Sequence, residues 1–279
     1  MSPDSCSSKT IDPRFGGTVR LYGESGYRKL LASHVTVVGL GGVGSWAAEA
    51  LARIGVGELS LIDLDELCVT NINRQVHALG STVGCSKASV LAMRIKDINP
   101  AMSLNVHEDF LTQKNIASLI APSCGYIIDA IDSAAVKAAL IAYILREGKQ
   151  SCKQTRRRLV TVGSSGGKVD ASMIEAGDLG ASQHDPLLSK VRSILYRHHG
   201  FKRPSSSSKG STRKFRIDAI TSAEARRFPT PEGEISRIKQ KALEGTKLDC
   251  SSGLGSSVIV TASFGLRAAQ QVAHRIIND

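Results

Sequence analysis

The sequence predicts an α/β protein: a Rossmann-like, doubly wound, mostly parallel sheet with an irregular, basic C-terminal part. Three observations carry this reading. V-T-V-V at 35–38 is a short β-branched apolar run, long enough for one buried strand. It runs into G-L-G-G-V-G at 39–44 and then into S-W-A-A-E-A-L-A-R-I at 45–54, which reads as helix. A second apolar run at 59–62 ends on Asp63. Strand, glycine turn, helix, strand and acid make a nucleotide-binding unit. Gly39, Gly41, Gly42 and Gly44 let the backbone approach a phosphate at a helix N-terminus, and Asp63 is placed to accept hydrogen bonds from a ribose. The competing reading is a βαβ unit whose glycines only pack helix on strand.

The elements follow in order. Residues 1–13 are polar and expected to be disordered, and 14–279 are expected to form one domain. Arg14 and Arg20 are cations that either reach a neighbouring subunit's phosphate or make surface salt bridges. A short helix is expected at 24–32. After Asp63, the segment L-D-E-L-C-V-T-N-I-N-R-Q opens a loop that holds Asp65, Asn71, Asn73 and Arg74. Apolar spacing then predicts a helix stopped by Pro100, with Lys87 in its first turn. A lysine there opposes the helix dipole, so an anion is expected beside it. Strands are expected at 103–107, 126–130 and 159–162, and helices at 113–121, 134–145 and 258–277. Asp129 and Asp132 fall at a strand's carboxyl end, where open α/β sheets place their ligands. Asp132 is read as a magnesium ligand, with a helix cap as the alternative. Regularity fades from 168 to about 247. Cys250 sits in a small-residue turn and is either an exposed thiol or a buried, inert one.

Composition narrows the class. No run of 18 apolar residues exists, so no membrane span is expected. The first residues lack the apolar core of a secretory signal. Six scattered cysteines without a C-x-x-C pair argue against structural zinc and a disulfide framework. A reducing, cytoplasmic compartment is the expectation, with an organelle left open. Charge is uneven: residues 1–135 hold 11 Lys and Arg against 13 Asp and Glu, and residues 136–279 hold 25 against 12. Between Lys190 and Arg216 stand nine Lys and Arg and no carboxylate. A basic, partly flexible insertion at about 190–216 that meets a polyanion is one reading. A solvated loop or a membrane-surface contact are the others.

Arg74 and Lys87 as fixed cations, Asn71 beside them and a metal-holding Asp132 suit attack of a carboxylate on the α-phosphorus of ATP. Here the chain resembles a known group. G-L-G-G-V-G, L-I-D-L-D, N-I-N-R-Q, V-G-C-S-K and D-A-I-D together resemble the ubiquitin-activating (ThiF/MoeB/HesA-like) superfamily of adenylating enzymes. R-F-G-G-T-V-R-L-Y-G and D-A-I-D-S-A-A-V-K-A-A-L-I-A-Y look closer to its tRNA threonylcarbamoyladenosine dehydratase branch. The resemblance implies adenylation, with ATP and Mg²⁺, of the threonyl carboxylate of N6-threonylcarbamoyladenosine beside the tRNA anticodon, followed by ring closure. It implies nucleotide contacts at Gly39, Gly41, Gly42, Gly44, Asp63, Asp65, Asn71, Arg74 and Lys87, metal at Asp132, and catalytic roles for Arg74, Lys87, Asp132 and Cys250. It also implies a homodimer, with a sulfur-transfer protein as a further candidate partner. Two departures matter. The second arginine of the relatives' R-x-x-R is Gly17 here, and the zinc-binding C-x-x-C pairs are missing. The alternative function is activation of the C-terminus of a ubiquitin-like or sulfur-carrier protein.

Overall fold

In the computed structural model, which describes residues 11–150, 157–203, 214–238 and 254–279, the strand β1 (His34–Val38) is buried along its whole length. Such a strand belongs inside a parallel sheet covered on both faces. β2 (Glu58–Ile62) and β4 (Tyr126–Asp129) flank it in parallel, with β3 (Ser103–His107) beyond β2 and β5 (Arg158–Val162) beyond β4. β7 (Asp218–Ser222) adds in parallel to β5, and β6 (Ile174–Asp178) closes the edge antiparallel to β7. The order is β3-β2-β1-β4-β5-β7-β6, and β8 (Phe228–Pro229) and β9 (Ile235–Ser236) form a separate small hairpin. The chain turns outward in opposite directions from β1, which leaves a crevice at the strands' carboxyl ends.

Helices cover both faces. Leu30 of α1 (Gly16–Leu31), Leu51 of α2 (Gly44–Arg53), Leu91 of α3 (Lys87–Ile98) and Phe264 of α7 (Val258–Asn278) share one core. Ile116 of α4 (Ile116–Leu119), Leu140 of α5 (Ala134–Gln150) and Leu188 of α6 (Pro186–His198) share the other.

The structure corrects several expectations. The short helix at 24–32 is the second half of α1, which starts at Gly16 and breaks at Gly23, where φ is 74°. The helix at 113–121 shrinks to the four residues of α4. Arg14 takes the surface role: it pairs with Asp12 at 2.7 Å. The stretch 168–247 is not irregular throughout, since it supplies β6, α6, β7 and the hairpin. Within α6, Leu188, Val191 and Leu195 recur at helical spacing and are all buried. The cations between them disguise that stripe. Residues 190–198 of the expected basic insertion are therefore helix, and 204–213 lie outside the described residues, as do residues 1–10. The apolar C-terminal helix also finds much of its cover inside the chain, against α2, α1 and the sheet.

One fully buried ion pair fixes the floor of the crevice. Lys137 Nζ of α5 lies 2.9 Å from Asp129 Oδ1 at the end of β4, and neither side chain reaches solvent. Lys137 also donates to the Asp129 carbonyl and to Thr161 Oγ1, and Thr161 donates to Asp129 Oδ2. Burial pulls the Lys137 pKa down, and the Asp129 carboxylate opposes that pull. Removing one partner leaves the other charge stranded in the core, which costs about 3–5 kcal/mol. Lys137→Met is expected to lower unfolding free energy by about that amount in urea titration; a loss under about 1 kcal/mol would contradict the assignment.

Candidate active site

The glycine turn is shaped first by its own packing. Gly39 has φ of 85°, and a Cβ there would stand 2.9 Å from the Ala130 carbonyl oxygen. A Cβ on Gly44 would stand 1.8 Å from the Gly39 oxygen, so Gly44 spaces α2 from the turn and does not line the crevice. Gly42 lies against the Arg74 and Thr261 side chains, and a Cβ on Gly41 would just touch Gln75 Nε2, at 4.0 Å. Asp63 is buried and already engaged: its Oδ2 accepts from Leu40 N–H at 2.6 Å and its Oδ1 from Asp65 N–H at 2.9 Å. Burial pushes its pKa up, against those two N–H groups and the Lys87 cation. The carboxylate clamps the turn as well as lining the crevice.

The segment after β2 brings the cations in. Ser86 caps α3 and Lys87 is its first residue. The anion expected beside Lys87 is internal: Lys87 Nζ lies 2.7 Å from Asp65 Oδ2. Asn71 is buried, and its Oδ1 accepts from Cys68 N–H. Arg74 donates from Nη1 only to neutral acceptors, the Thr70 carbonyl and Asn73 Oδ1. Its backbone is held from behind, because the Trp46 indole N–H and the Thr261 hydroxyl both donate to its carbonyl. Gln75 Oε1 is buried without a hydrogen-bond partner among the described residues.

The position of Asp132 bears on the cap alternative. α5 begins at Ala134, and the Ser133 carbonyl takes the Lys137 N–H. The Asp132 carboxylate makes no hydrogen bond or ion pair among the described residues and faces the crevice. It is not acting as a cap. No group of three or more His, Cys, Asp or Glu fit to hold a metal occurs among the described residues. A metal there would take Asp132 together with ligand oxygens, the arrangement usual for Mg²⁺ on nucleotides.

At the centre of this arrangement is a pocket of about 730 Å³. Gly39, Gly41, Gly42, Asp63, Asp65, Asn71, Arg74, Lys87 and Asp132 are brought together in it. Cys250 lies outside the described residues. Sequence reasoning missed the remaining walls: Asp109 to Leu111 after β3, Ser164 to Gly166 after β5, Leu187 of α6, and Leu254 and Ser256 before α7. Only the S-S-G-G turn carried a local signal. The pocket therefore has a glycine-turn half, rich in charge, and a half lined by the 163–166 turn and apolar side chains.

A chain with this sheet, glycine turn and cationic loop belongs to the ThiF family, whose model matches residues 17–277. It is similar to the tRNA threonylcarbamoyladenosine dehydratase of Escherichia coli (strain K12), 44% identical over 264 residues that cover 95% of this chain and 93% of that one. The enzyme of the same description from Haemophilus influenzae is 39% identical and covers 95% and 94%. A crystal structure of the E. coli dehydratase in complex with ATP superposes with a TM-score of 0.78, at 41% identity, over 94% of this chain and 93% of that one.

The loop that carries Arg74 also contains a buried ionisable group. His77 is 1% exposed, and neither ring nitrogen has a hydrogen-bond partner among the described residues. Burial, then the nearby Lys87 and Arg94 cations, push its pKa from 6.5 to about 4. Below pH 6.5 the unfolded chain takes up a proton that the folded chain refuses, so stability is lost as pH falls from 6.5 towards 4. Between about pH 7.5 and about pH 5 the expected loss from this residue is about 2 kcal/mol. His77→Gln should remove that part of the pH dependence in paired urea titrations; an unchanged pH profile would contradict it.

Proposed function

We propose that this chain is an ATP-dependent tRNA threonylcarbamoyladenosine dehydratase. The observation that carries the proposal is one pocket with Arg74, Lys87 and an unpartnered Asp132 around a glycine turn, in a chain aligned end to end with enzymes of that description. The glycine-turn half takes ATP and the other half takes the threonylcarbamoyl side chain. A threonyl carboxylate oxygen attacks the α-phosphorus, and the bond to the bridging oxygen of pyrophosphate breaks. The carbamoyl group of the same side chain then attacks the activated carbonyl, AMP leaves and a ring closes. An internal nucleophile gains a high effective molarity, so the second step needs mainly water exclusion.

The geometry supports the following roles. Arg74 has only neutral partners and is the cation most available to charge developing on the phosphates. Lys87 must exchange Asp65 for phosphate, which leaves the half-exposed Asp65 to solvent or ribose. Asp132 would hold Mg²⁺, and the ion would supply charge neutralisation for the leaving pyrophosphate. Arg74→Ala is expected to lower turnover by about 10²–10³-fold, the usual effect of removing one transition-state donor, with the melting temperature nearly unchanged. Nucleoside mass spectrometry of tRNA incubated with protein, ATP and Mg²⁺ reads this directly. Wild-type protein that yields no cyclic nucleoside, but catalyses pyrophosphate exchange dependent on a Gly-Gly-ended carrier protein, would replace the proposal.

The same reading includes a homodimer in the cytoplasm. Val69 and Ile72 are exposed, and Asn73 beside them bonds Ser256 and Val258, which brings this loop next to the exposed Ile259 of α7. Val69 is 65% exposed and Ile259 66%. This patch supports a second copy as its cover. Sedimentation of wild type is expected to give twice the chain mass, and Ile259→Glu is expected to give a monomer. No helix among the described residues is long and apolar enough to cross a membrane.

A further inference from the structure

The basic character of the chain's second half has a position as well as a sum. α6 starts at the pocket, where Leu187 lines the wall, and runs outward from there. Residues 187, 190, 194 and 197 fall on one side of the helix by spacing. Leu187 is at the mouth, Lys190 lies about 4.5 Å further along the axis and Arg197 about 15 Å from the start. Lys190 and Arg197 are exposed, and neither makes an ion pair among the described residues. Arg192, on a different side, is used internally through the Leu179 carbonyl and Ser182.

The far end of α6 extends the same charge. His198 is exposed, and Arg203 lies 5.7 Å from the centre of the Tyr196 ring. Tyr196 in turn rests on Phe215, which stacks with Phe201, so Arg203 rests on an aromatic base. Arg146 of α5 is close enough to help depress the His199 pKa, after burial. The nearest acid of α5, Glu147, is occupied by Arg157. Cations gathered this way repel one another unless a polyanion lies across them.

We propose that the outer face of α6 from Lys190 to Arg197 is a track for the phosphates of the RNA strand flanking the nucleotide in the pocket. The inference rests on the tRNA-modifying reading above and adds where the strand runs. A base whose side chain must enter a pocket has to leave its stack, so the adjoining backbone is drawn over the rim. On the α6 side, Leu187 is that rim, and the first cations beyond it are the ones named. Phosphate contacts of this kind position the strand and add affinity without reading sequence.

The test is tRNA binding by fluorescence anisotropy across a salt series, with the doubly reversed variant Lys190→Glu, Arg197→Glu. Two lost contacts are expected to flatten the slope of log affinity against log salt by about 1.4. Affinity at low salt is expected to fall at least about tenfold by the same loss of counterion release. ATP binding should stay within about twofold, because neither residue touches the nucleotide half. The conservative pair Lys190→Arg, Arg197→Lys should bind as wild type does. Unchanged tRNA affinity and salt slope would overturn the track. So would an equal loss of affinity for polyglutamate, which would mark a face for acidic polymers at large. Should wild type bind tRNA yet form no cyclic nucleoside, the catalytic reading fails and the binding comparison still decides the track.

Discussion

The site depends on how closely two helices approach. A side chain on Gly265 of α7 would stand 2.4 Å from the Val43 carbonyl oxygen and 2.9 Å from Trp46 Cβ. Only glycine lets α7 settle onto the first turn of α2 at that point. With the helices so close, Thr261 of α7 and Trp46 of α2 reach the same carbonyl, that of Arg74. Asn73 completes the join by donating to the Ser256 carbonyl and accepting from Val258 N–H. A residue near position 74 is thus held by groups from residue 46 and from the chain's last helix. Its guanidinium is left with neutral acceptors and faces the pocket.

The charges around the pocket divide into satisfied and unsatisfied groups, and the division explains the chemistry. Asp129 and Lys137 are paired, hydrogen-bonded and sealed, so they serve architecture. Asp63 bonds two backbone N–H groups and holds the glycine turn in shape. Lys87 has a partner that is itself half exposed, and such a pair exchanges cheaply for a phosphate. Arg74 and Asp132 form no ion pair among the described residues. Positive and negative groups preplaced in this way need little rearrangement when charge develops on a ligand, which is the main source of electrostatic catalysis.

Much of this was legible in residue order. The strand, glycine turn, helix and acid between 35 and 63 interact within a few turns of chain, so local pattern suffices to read them. The same holds for Lys87 at a helix start, although its anion is Asp65 of the same chain. α6 was missed because its buried stripe of Leu188, Val191 and Leu195 is narrow and interleaved with lysine and arginine. β6 was missed because Glu175 and Asp178 break its apolar pattern at an edge where one face meets solvent. Spacing alone also does not show that Gly44 makes room for the Gly39 carbonyl.

By itself the sequence determined the class of fold, the glycine-turn half of the pocket and the family resemblance, because those rest on contacts between neighbours along the chain. Tertiary structure alone decided that Asp132 faces the pocket free of a capping bond, that the 163–166 turn, Leu187 and Leu254 build the opposite wall, and that α7 braces Arg74. Those outcomes join segments separated by up to two hundred residues. Their meeting is set by helix packing and sheet order, which leave no periodic trace in any one segment.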